Sequence, residues 1–455
     1  MSFTTLCLGD DFPSLTIQPA PSGEQELQFQ GILQSSTDLT AWTDIEPQPE
    51  SPWHLSSSSI STRFFRVRAF SVEESADPSN FPLFAIENLN FQGAFRLSPD
   101  SFGESDLNYS QGPIAYNAEN HSLFIVGHAH HQAIAEFAIP ELVNSDRIED
   151  LNRVDQPLQF FSTALDRTPD GNPQDINRIG GLYLYQGKLI VNAYEYYDAP
   201  GDNSHTTLLF TNAGDLANST VSGYYSLAGR AHVSGWISGI PDAWQPLLHA
   251  SHLTGFSSGI PIIGRASVGP AAFGFNPDSL QQTGDTIPTV VYQDFSLQNP
   301  LSEDLSNNSG ANDLWTHLSM ATYGFIVPGT RTYMTIGSSG GHFSGVGYKI
   351  TQDDGNLCGG YCSYEAADNY SYYWLWDLRD WLDVLEAKME PHELRPYDYG
   401  PFPDPLDNGR TNPVGGGAFD VDSGVLYLAL QRADNQAGTY SNPPVIAVYN
   451  IGELN

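Results

Sequence analysis

The fold is decided by the stretch Gln111–Pro140, QGPIAYNAENHSLFIVGHAHHQAIAEFAIP. It contains a short apolar segment, an Asn-rich turn and a second apolar segment, followed by the polar excursion GHAHHQ and a segment that alternates in polarity. This pattern predicts three strands, at Ile114–Tyr116, Ser122–Val126 and Ala133–Ile139. One hairpin plus one strand is too little to bury a sheet face, so the unit needs neighbours of the same kind.

The same plan occurs four more times along the chain, beginning at Arg178, Ser234, Ala321 and Gly415. The second strands of the five copies are predicted around Leu123, Leu189, Ile262, Tyr333 and Leu426. The copies therefore recur roughly every 70 residues, with one longer interval, which is typical of a radially stacked repeat protein. We predict an all-β fold, a five-bladed β-propeller in which linkers supply the outer strands. The last repeat strand, Val445–Ile451, suits a ring closed by the chain termini.

The first 72 residues predict a separate small β-module. The stretches LQFQGILQSSTDLTAWTDI and RFFRVRAF alternate in polarity around Trp42, Phe64 and Phe65. This phrasing resembles a small sandwich module appended to many secreted bacterial proteins, and the resemblance implies an accessory or surface role. The polar, proline-bearing stretch SVEESADPSNFP then indicates a linker. We predict a β-sandwich module at 1–72, a linker at 73–90 and the propeller at 91–455.

The charge balance excludes two classes of partner. The chain of 455 residues carries 18 Lys and Arg against 53 Asp and Glu, a net charge of −35. Such a surface repels nucleic acid and anionic lipid. No apolar run approaches the roughly 18 residues that a membrane span requires. We therefore predict neither nucleic-acid binding nor membrane insertion, and we expect a monomer.

The cysteine pattern indicates the cellular compartment in which the protein works. Of three cysteines, Cys358 and Cys362 lie in CGGYC, whose glycines allow a small disulfide loop. The pair could instead bind a metal ion, but a second cysteine pair that would complete a thiolate site is absent from the sequence. We favour the disulfide, which predicts a secreted or cell-surface protein. The start, MSFTTLCLGDDF, shows no signal-peptide pattern, so we expect a leader to be absent from this chain.

Most histidines of the propeller segment are predicted to lie on one face of the ring. The loops that join second to third strands, and outer strands to the next inner strand, emerge together on that side, here called the loop face. Propellers bind ligands in the funnel on such a face, where loops of all blades converge. This clustering is the strongest functional signal in the sequence.

One chemistry that fits the clustering is metal binding. Neutral imidazoles on separate blades can ligate a divalent ion and leave one position open. The candidate ligands are His131, His232, His317 and His342, and the candidate ions are Zn²⁺, Mn²⁺, Fe²⁺ and Ca²⁺.

A second chemistry is β-elimination on a polymer that contains uronic acid. A histidine base removes the proton next to the carboxylate, an arginine stabilises the developing charge and a tyrosine protonates the leaving oxygen. We predict His128 or His130 as the base, Tyr196 or Tyr197 as the acid and Arg265 as the neutralising cation. Further substrate contacts are predicted for Arg178, Tyr197, Trp315 and Arg432. This His/Tyr/Arg set resembles that of propeller polysaccharide lyases, and the resemblance implies a polysaccharide or oligosaccharide partner.

Two alternatives stay open. The chain also resembles five-bladed glycoside hydrolases in blade number, and Glu195, Asp198 and Asp313 could supply loop carboxylates for hydrolysis. A non-catalytic carbohydrate-binding or adhesion propeller would instead use aromatic side chains that stack on sugar rings. Segments such as YGFIVPGTRTY and NPPVIAVYNI resemble segments of uncharacterised exported bacterial β-propeller proteins. This resemblance implies the fold and no activity.

Overall fold

The computed structural model describes residues 77–257, 267–281, 283–438 and 441–452, together with short strands of the N-terminal segment. The chain divides into two compact units, Met1–Asp77 and Pro78–Asn455. The first unit contains two three-stranded sheets. One has the order Ser14–Pro19, Gln25–Gln30, Trp53–Leu55, and the other the order Thr43–Asp44, Ile32–Ser36, Phe64–Arg68.

The second unit is a five-bladed β-propeller, as the sequence predicts. Each strand below is given in order from the ring axis outward. Blade I consists of Ile114–Asn117, Ser122–Val126, Ala133–Ala138 and Gln159–Thr163. Blade II consists of Arg178–Tyr185, Lys188–Tyr194, His205–Phe210, Val221–Leu227 and the short strand Thr286–Ile287. Blade III consists of Ile237–Gly239, His252–Thr254, Ala272–Phe275 and Val290–Gln293. Blade IV consists of Met320–Ile326, Thr332–Gly340, Asn369–Asp377 and Asp398–Pro401. Blade V consists of Val414–Asp420, Val425–Leu430, Val445–Ile451, Leu89–Leu97 and the short strand Arg153–Val154.

The ring is closed by strands from the two ends of the propeller segment. The first propeller strand, Leu89–Leu97, pairs antiparallel with the last, Val445–Ile451, so that blade V contains both. Arg96 on the closing strand donates from Nε and Nη2 to the two carboxylate oxygens of Asp434, at 2.8 and 3.2 Å. Asp434 is completely buried. A charged pair therefore joins the closing strand to the loop that precedes the final strand.

Blade III departs from the predicted strand positions. Its second strand is His252–Thr254, and the predicted centre, Ile262, lies outside the described residues. The insertion between its first two strands holds a short helix, Gln245–Leu248, that begins with a proline in its first turn. A three-residue strand directly after such an insertion gives too short a pattern to be recognised in the sequence. The prediction for this strand was wrong by about ten residues, in line with the weak periodicity of short strands.

The part of the propeller that the structure describes contains few other helices. The longer one, Leu378–Leu385, is capped by the Asp377 carboxylate, which accepts from Arg379 N. Single 3₁₀ turns occur at Pro78–Asn80, Ile86–Asn88, Ile148–Asp150, Arg230–Val233 and Pro277–Ser279. Within the part of the chain that the structure describes, none of the helices has the length and apolarity to cross a membrane.

Glycines allow the inner strands of neighbouring blades to approach closely. A Cβ atom at Gly181 would lie 2.1 Å from the carbonyl oxygen of Gly235, and one at Gly416 would lie 2.4 Å from that of Gly112. These contacts join blade II to the entry of blade III, and blade V to the entry of blade I. The glycines at the inner-strand starts are therefore explained by the tight packing of five blades around one axis.

The apolar core contains an aromatic cluster at blades III and IV. Trp244, Trp315, Trp374, Trp376 and Trp381 are all at most 1 % exposed. Tyr292 of the outer strand of blade III stacks on Trp381 with ring centroids 4.6 Å apart. Aromatic side chains of this size contribute large buried apolar areas and specific ring contacts, which hold the two blades together.

The burial of His252 predicts a pH dependence of stability. Its ring lies 5.0 and 5.3 Å from those of Tyr183 and Tyr185, and burial lowers the pKa of His252 to about 4. The unfolded chain takes up a proton on this residue near pH 6.5, whereas the folded protein resists it until about pH 4. With respect to His252, the free energy of unfolding is therefore at its full value above pH 6.5. It falls by up to about 3 kcal/mol as the pH falls towards 4.

We expect the free energy of unfolding of wild type to fall more steeply than that of His252→Gln over this interval. Denaturant titrations at a series of pH values measure the difference. Parallel pH profiles for the two proteins would show that His252 is not the titrating group.

Candidate functional site

A funnel opens on the ring axis at the loop face. It encloses 140 Å³ and is lined by the beginnings of inner strands and the ends of second strands. Every blade contributes, because the antiparallel order brings these strand ends to one edge. The lining residues are Gln111, Pro113, Ile179, Gly180, Tyr194, Tyr196, Trp236, Phe256, Met320, Ala321, Thr322, Gly415 and Gln431.

One wall of the funnel is aromatic, and a cation packs against one of its rings. The rings of Tyr194 and Phe256 are 4.6 Å apart, and the Arg178 guanidinium carbon lies 5.0 Å from the centroid of the Tyr196 ring. Arg178 donates from Nη1 to the carbonyl of Asn177, while its buried Nε has no hydrogen-bond partner among the described residues. Two predicted site residues, Arg178 and Tyr196, are therefore brought together here.

The funnel ends within the ring. A few residues further along the inner strands, only 10 Å³ remains between residues that include Trp236, Tyr323 and Gly417. Trp236 is 2 % exposed and donates from Nε1 to the Tyr333 hydroxyl at 3.0 Å. A ligand would therefore enter from the loop face and be stopped by the aromatic floor.

The three histidines of the blade I loop lie together. The ring centroid of His128 is 4.6 Å from that of His131 and 5.5 Å from that of His130. Burial, followed by the charge of His131, lowers the pKa of His128. The nearby Ser105 hydroxyl lies 3.2 Å from His131 Nδ1. No hydrogen bond or ring contact within the described residues joins His128 or His130 to Tyr196.

His342 has a structural role. Its Nδ1 donates to the carbonyl of Asn312 at 2.8 Å, so Nε2 accepts from the Ser339 hydroxyl at 2.7 Å. Both ring nitrogens are occupied, and burial lowers the pKa of His342, which keeps the ring neutral. Both ring nitrogens of His342, a predicted metal ligand, are therefore engaged within the protein.

The other predicted metal ligands are held by different partners. The ring of His317 stacks on that of Tyr361 with centroids 3.9 Å apart, and burial lowers the pKa of His317. His131 lies beside Ser105, and His232 contacts Asp294. In the described part of the chain, His131, His232, His317 and His342 do not form one group with ligand distances. The structure therefore does not bring the four predicted ligands together.

Within the residues that the structure describes, an acidic group on the blade II loop could hold a metal ion. Oxygen atoms of Glu195, Asp198 and Asp202 lie within 4.8 Å of one another. Burial, and then the neighbouring Asp198 and Asp202 charges, raise the pKa of Glu195. The Asp198 carboxylate already accepts from the backbone N–H groups of Gly201, Asp202 and Asn203. These contacts fix the loop and leave Asp198 a poor candidate for the acid or base of a glycoside hydrolase.

The remaining predicted site residues differ in accessibility. Trp315, predicted to bind substrate, is 0 % exposed and packs on Trp374 at 4.9 Å, so its ring presents no surface to a ligand in this structure. Tyr197 is 57 % exposed on the same loop as Tyr196. Arg432 is exposed on the blade V loop. Arg265 lies outside the described residues.

The blade IV loop forms a disulfide-bonded excursion with exposed aromatic rings. Its strands Val346–Tyr348 and Tyr361–Ser363 pair antiparallel, and the predicted disulfide joins Cys358 to Cys362. Several large apolar side chains of this loop are exposed: Phe343, Tyr348, Leu357, Tyr361 and Tyr364. Exposed aromatic side chains in such a concentration are typical of a contact surface.

A second cavity lies beside the funnel on the loop face, between the loops of blades II and III. It encloses 330 Å³ and is lined by residues that include Asp198, Asn203, Arg230, His232 and Asp294. His232 Nδ1 lies 2.5 Å from Asp294 Oδ1, with side-chain exposures of 19 % and 30 %. Arg230 donates from Nη2 to the carbonyl of Gly201 at 2.9 Å.

Sequence reasoning missed several of these residues. Asp294 follows the outer strand Val290–Gln293, at the edge of the sheet that His232 also reaches, but a single Asp in YQDF carries no recognisable motif. Tyr194, Phe256 and Gln431 lie at or just after the ends of second strands. The ends of the second strands lie at the funnel, so position after a second strand was the sequence signal that could have identified these residues.

Comparisons with known proteins give limited information. No protein-family model matches the chain, and no curated protein matches it. Among solved structures it is similar to the PQQ-bound form of aldose sugar dehydrogenase from Streptomyces coelicolor, with 11 % identity, TM-score 0.36, and coverage of 79 % of this chain and 97 % of that one. It is also similar to the α-L-arabinofuranosidase PaAbf62A from Podospora anserina in complex with cellotriose, with 10 % identity, TM-score 0.34, and coverage of 79 % and 96 %.

Proposed function

We propose that the protein is a secreted or cell-surface carbohydrate-active propeller that binds an oligosaccharide or a polysaccharide chain in the axial funnel. The observation that carries the proposal is the wall formed by Tyr194, Tyr196 and Phe256, with amide groups of Gln111 and Gln431 also lining the funnel. Aromatic faces pack on the apolar faces of sugar rings, while amides exchange hydrogen bonds with hydroxyl groups. The Cys358–Cys362 disulfide supports an oxidising compartment.

The exposed aromatic side chains at the loop face suit a polymer that extends beyond the funnel. Tyr197 lies next to Tyr196, and the excursion of blade IV carries Phe343 and Tyr364, which are 77 % and 50 % exposed. A chain of sugar rings can contact several such platforms at once, and the individual contacts then add to the affinity.

A uronate lyase is the enzymatic form of this proposal. It is favoured by Arg178, whose guanidinium lies over the Tyr196 ring and whose Nη2 has no hydrogen-bond partner within the described residues and can receive a carboxylate. Tyr196 then supplies the ring against which this uronate residue packs.

Isothermal titration calorimetry with neutral oligosaccharides and with galacturonate and alginate oligomers tests the proposal. We expect one class to bind, and Tyr196→Ala to weaken that binding by roughly tenfold or more, because a central aromatic contact is lost. The matched control is Tyr427→Phe, which removes a hydroxyl from the buried ring that stacks on Tyr116 at 5.1 Å, outside the funnel lining. Absence of binding across the panel, or equal affinity of wild type and Tyr196→Ala, would contradict the proposal.

A further inference from the structure

We infer that the cavity between the loops of blades II and III is a catalytic subsite, in which His232 is the general base and Asp294 its positioning residue. The substrate class is a glycan that contains uronic acid, so the inference rests on the proposed function. It assigns the base to a place other than the His128 loop and separates the reacting centre from the binding funnel.

The geometry of the pair carries the assignment. The 2.5 Å contact between His232 Nδ1 and Asp294 Oδ1 holds the imidazole in one orientation and fixes the proton on Nδ1. Nε2 then carries the lone pair, and within the described part of the chain the Asp294 contact through Nδ1 is the hydrogen bond that the ring makes. A histidine oriented by a carboxylate, with its second nitrogen free beside a cavity, is the arrangement that a general base requires.

The cavity also supplies a cation. Arg230 lines it together with His232, and only one of its N–H groups is engaged, by the carbonyl of Gly201. The backbone of Arg230 has φ 56°, in the left-handed region that non-glycine residues seldom adopt. This conformation helps to fix the direction in which the side chain leaves the backbone. Guanidinium groups bind carboxylates through paired N–H donors, which favours an acidic sugar over a neutral one.

The described lining of the cavity contains no Ser, Thr, Cys or Lys, and its two carboxylates are already engaged, Asp198 by backbone N–H groups and Asp294 by His232. The chemistry that fits is therefore proton abstraction. His232 Nε2 removes the proton on the carbon next to the uronate carboxylate, and the electrons of that C–H bond form a double bond to the adjacent carbon. The C–O bond at the adjacent carbon breaks with its electron pair on the leaving oxygen, which takes the proton back from the imidazolium. Arg230 stabilises the charge that develops on the carboxylate.

The funnel and the cavity share the loop that runs from Glu195 to Ser204. Tyr196 of this loop lines the funnel, and Asp198 and Asn203 line the cavity. A glycan held in the funnel can therefore reach the cavity by crossing one loop. This arrangement predicts that binding and turnover depend on different residues.

The test measures double-bond formation by ultraviolet absorbance with polygalacturonate and alginate, together with calorimetric binding to the same polymers. We expect wild type to degrade one of them and His232→Ala to lose at least about 100-fold in kcat, the usual effect of removing a general base, with little change in binding. Added imidazole should restore part of the His232→Ala activity, which a purely structural role would not allow. Asp294→Asn should lower kcat and leave KM nearly unchanged.

His121→Asn serves as the control and should keep full activity. His121 lies in the exposed turn between the first two strands of blade I, at the edge opposite the loop face. Failure of every saccharide to bind would overturn the proposed function. Binding without turnover, or turnover that survives His232→Ala, would overturn this inference while the proposed binding function stands.

Discussion

Replacement of Asp434 by alanine should destabilise the propeller by about 3–5 kcal/mol, the largest stability effect that we expect from a single side chain. Asp434 is 0 % exposed and accepts both hydrogen bonds from Arg96 on the closing strand. Without it, Arg96, whose side chain is 12 % exposed, keeps its charge with no counter-charge in a site that admits little water. The cost arises mainly from this uncompensated charge.

The matched control for Asp434→Ala is Asp155→Ala. It breaks the Arg153–Asp155 pair, which has the same chemistry at 2.7 Å but side-chain exposures of 45 % and 67 %. Exposed pairs contribute about 0–1 kcal/mol, so this variant should unfold at nearly the wild-type denaturant concentration. Similar losses for the two variants would show that the buried pair does not hold the ring closed.

The second large effect is expected for Gly181→Ala, which should destabilise the protein by about 3 kcal/mol through overpacking. The new Cβ would lie 2.1 Å from Gly235 O, 2.7 Å from Gly235 C and 2.9 Å from Trp236 Cα. These are backbone atoms, which cannot turn away as a flexible side chain would. Relief requires blades II and III to separate next to the funnel.

Gly359→Ala is the control for this substitution, because a Cβ at Gly359 would meet nothing within 4 Å. Chemical unfolding followed by tryptophan fluorescence compares the two variants with wild type. The steric account is contradicted if Gly181→Ala and Gly359→Ala unfold at the same denaturant concentration.

The repeat pattern predicted the ring because local polarity sets strand positions. The predicted strands at Ser122–Val126 and Val445–Ile451 agree with the structure. Cys358 and Cys362 form the predicted disulfide, and the two glycines that follow Cys358 allow the tight turn between them. In each case the deciding information lies within a few residues of the chain.

The candidate site depended on contacts that span many residues and was predicted less well. The sequence indicates that His232, His317 and His342 reach the loop face, but not which neighbour each ring meets. His342 turns towards Ser339 and Asn312, His317 towards Tyr361 and His232 towards Asp294. Those choices are made by side-chain packing between loops, for which strand periodicity gives no signal.

Trp315 shows the same limit for aromatic residues. In the sequence it lies in a polar loop, where an exposed ring is a reasonable expectation. In the structure it packs on Trp374 and is completely buried. The aromatic wall of the funnel is built instead by Tyr194, Tyr196 and Phe256, near the loop-face ends of second strands.

A crystal structure with a bound oligosaccharide from the class selected by calorimetry tests the central claim most directly. The account predicts sugar density in the axial funnel, with a ring against Tyr196 and a polar or acidic group of the sugar within hydrogen-bonding distance of Arg178. Density confined to another surface, with the funnel containing only solvent, would contradict it.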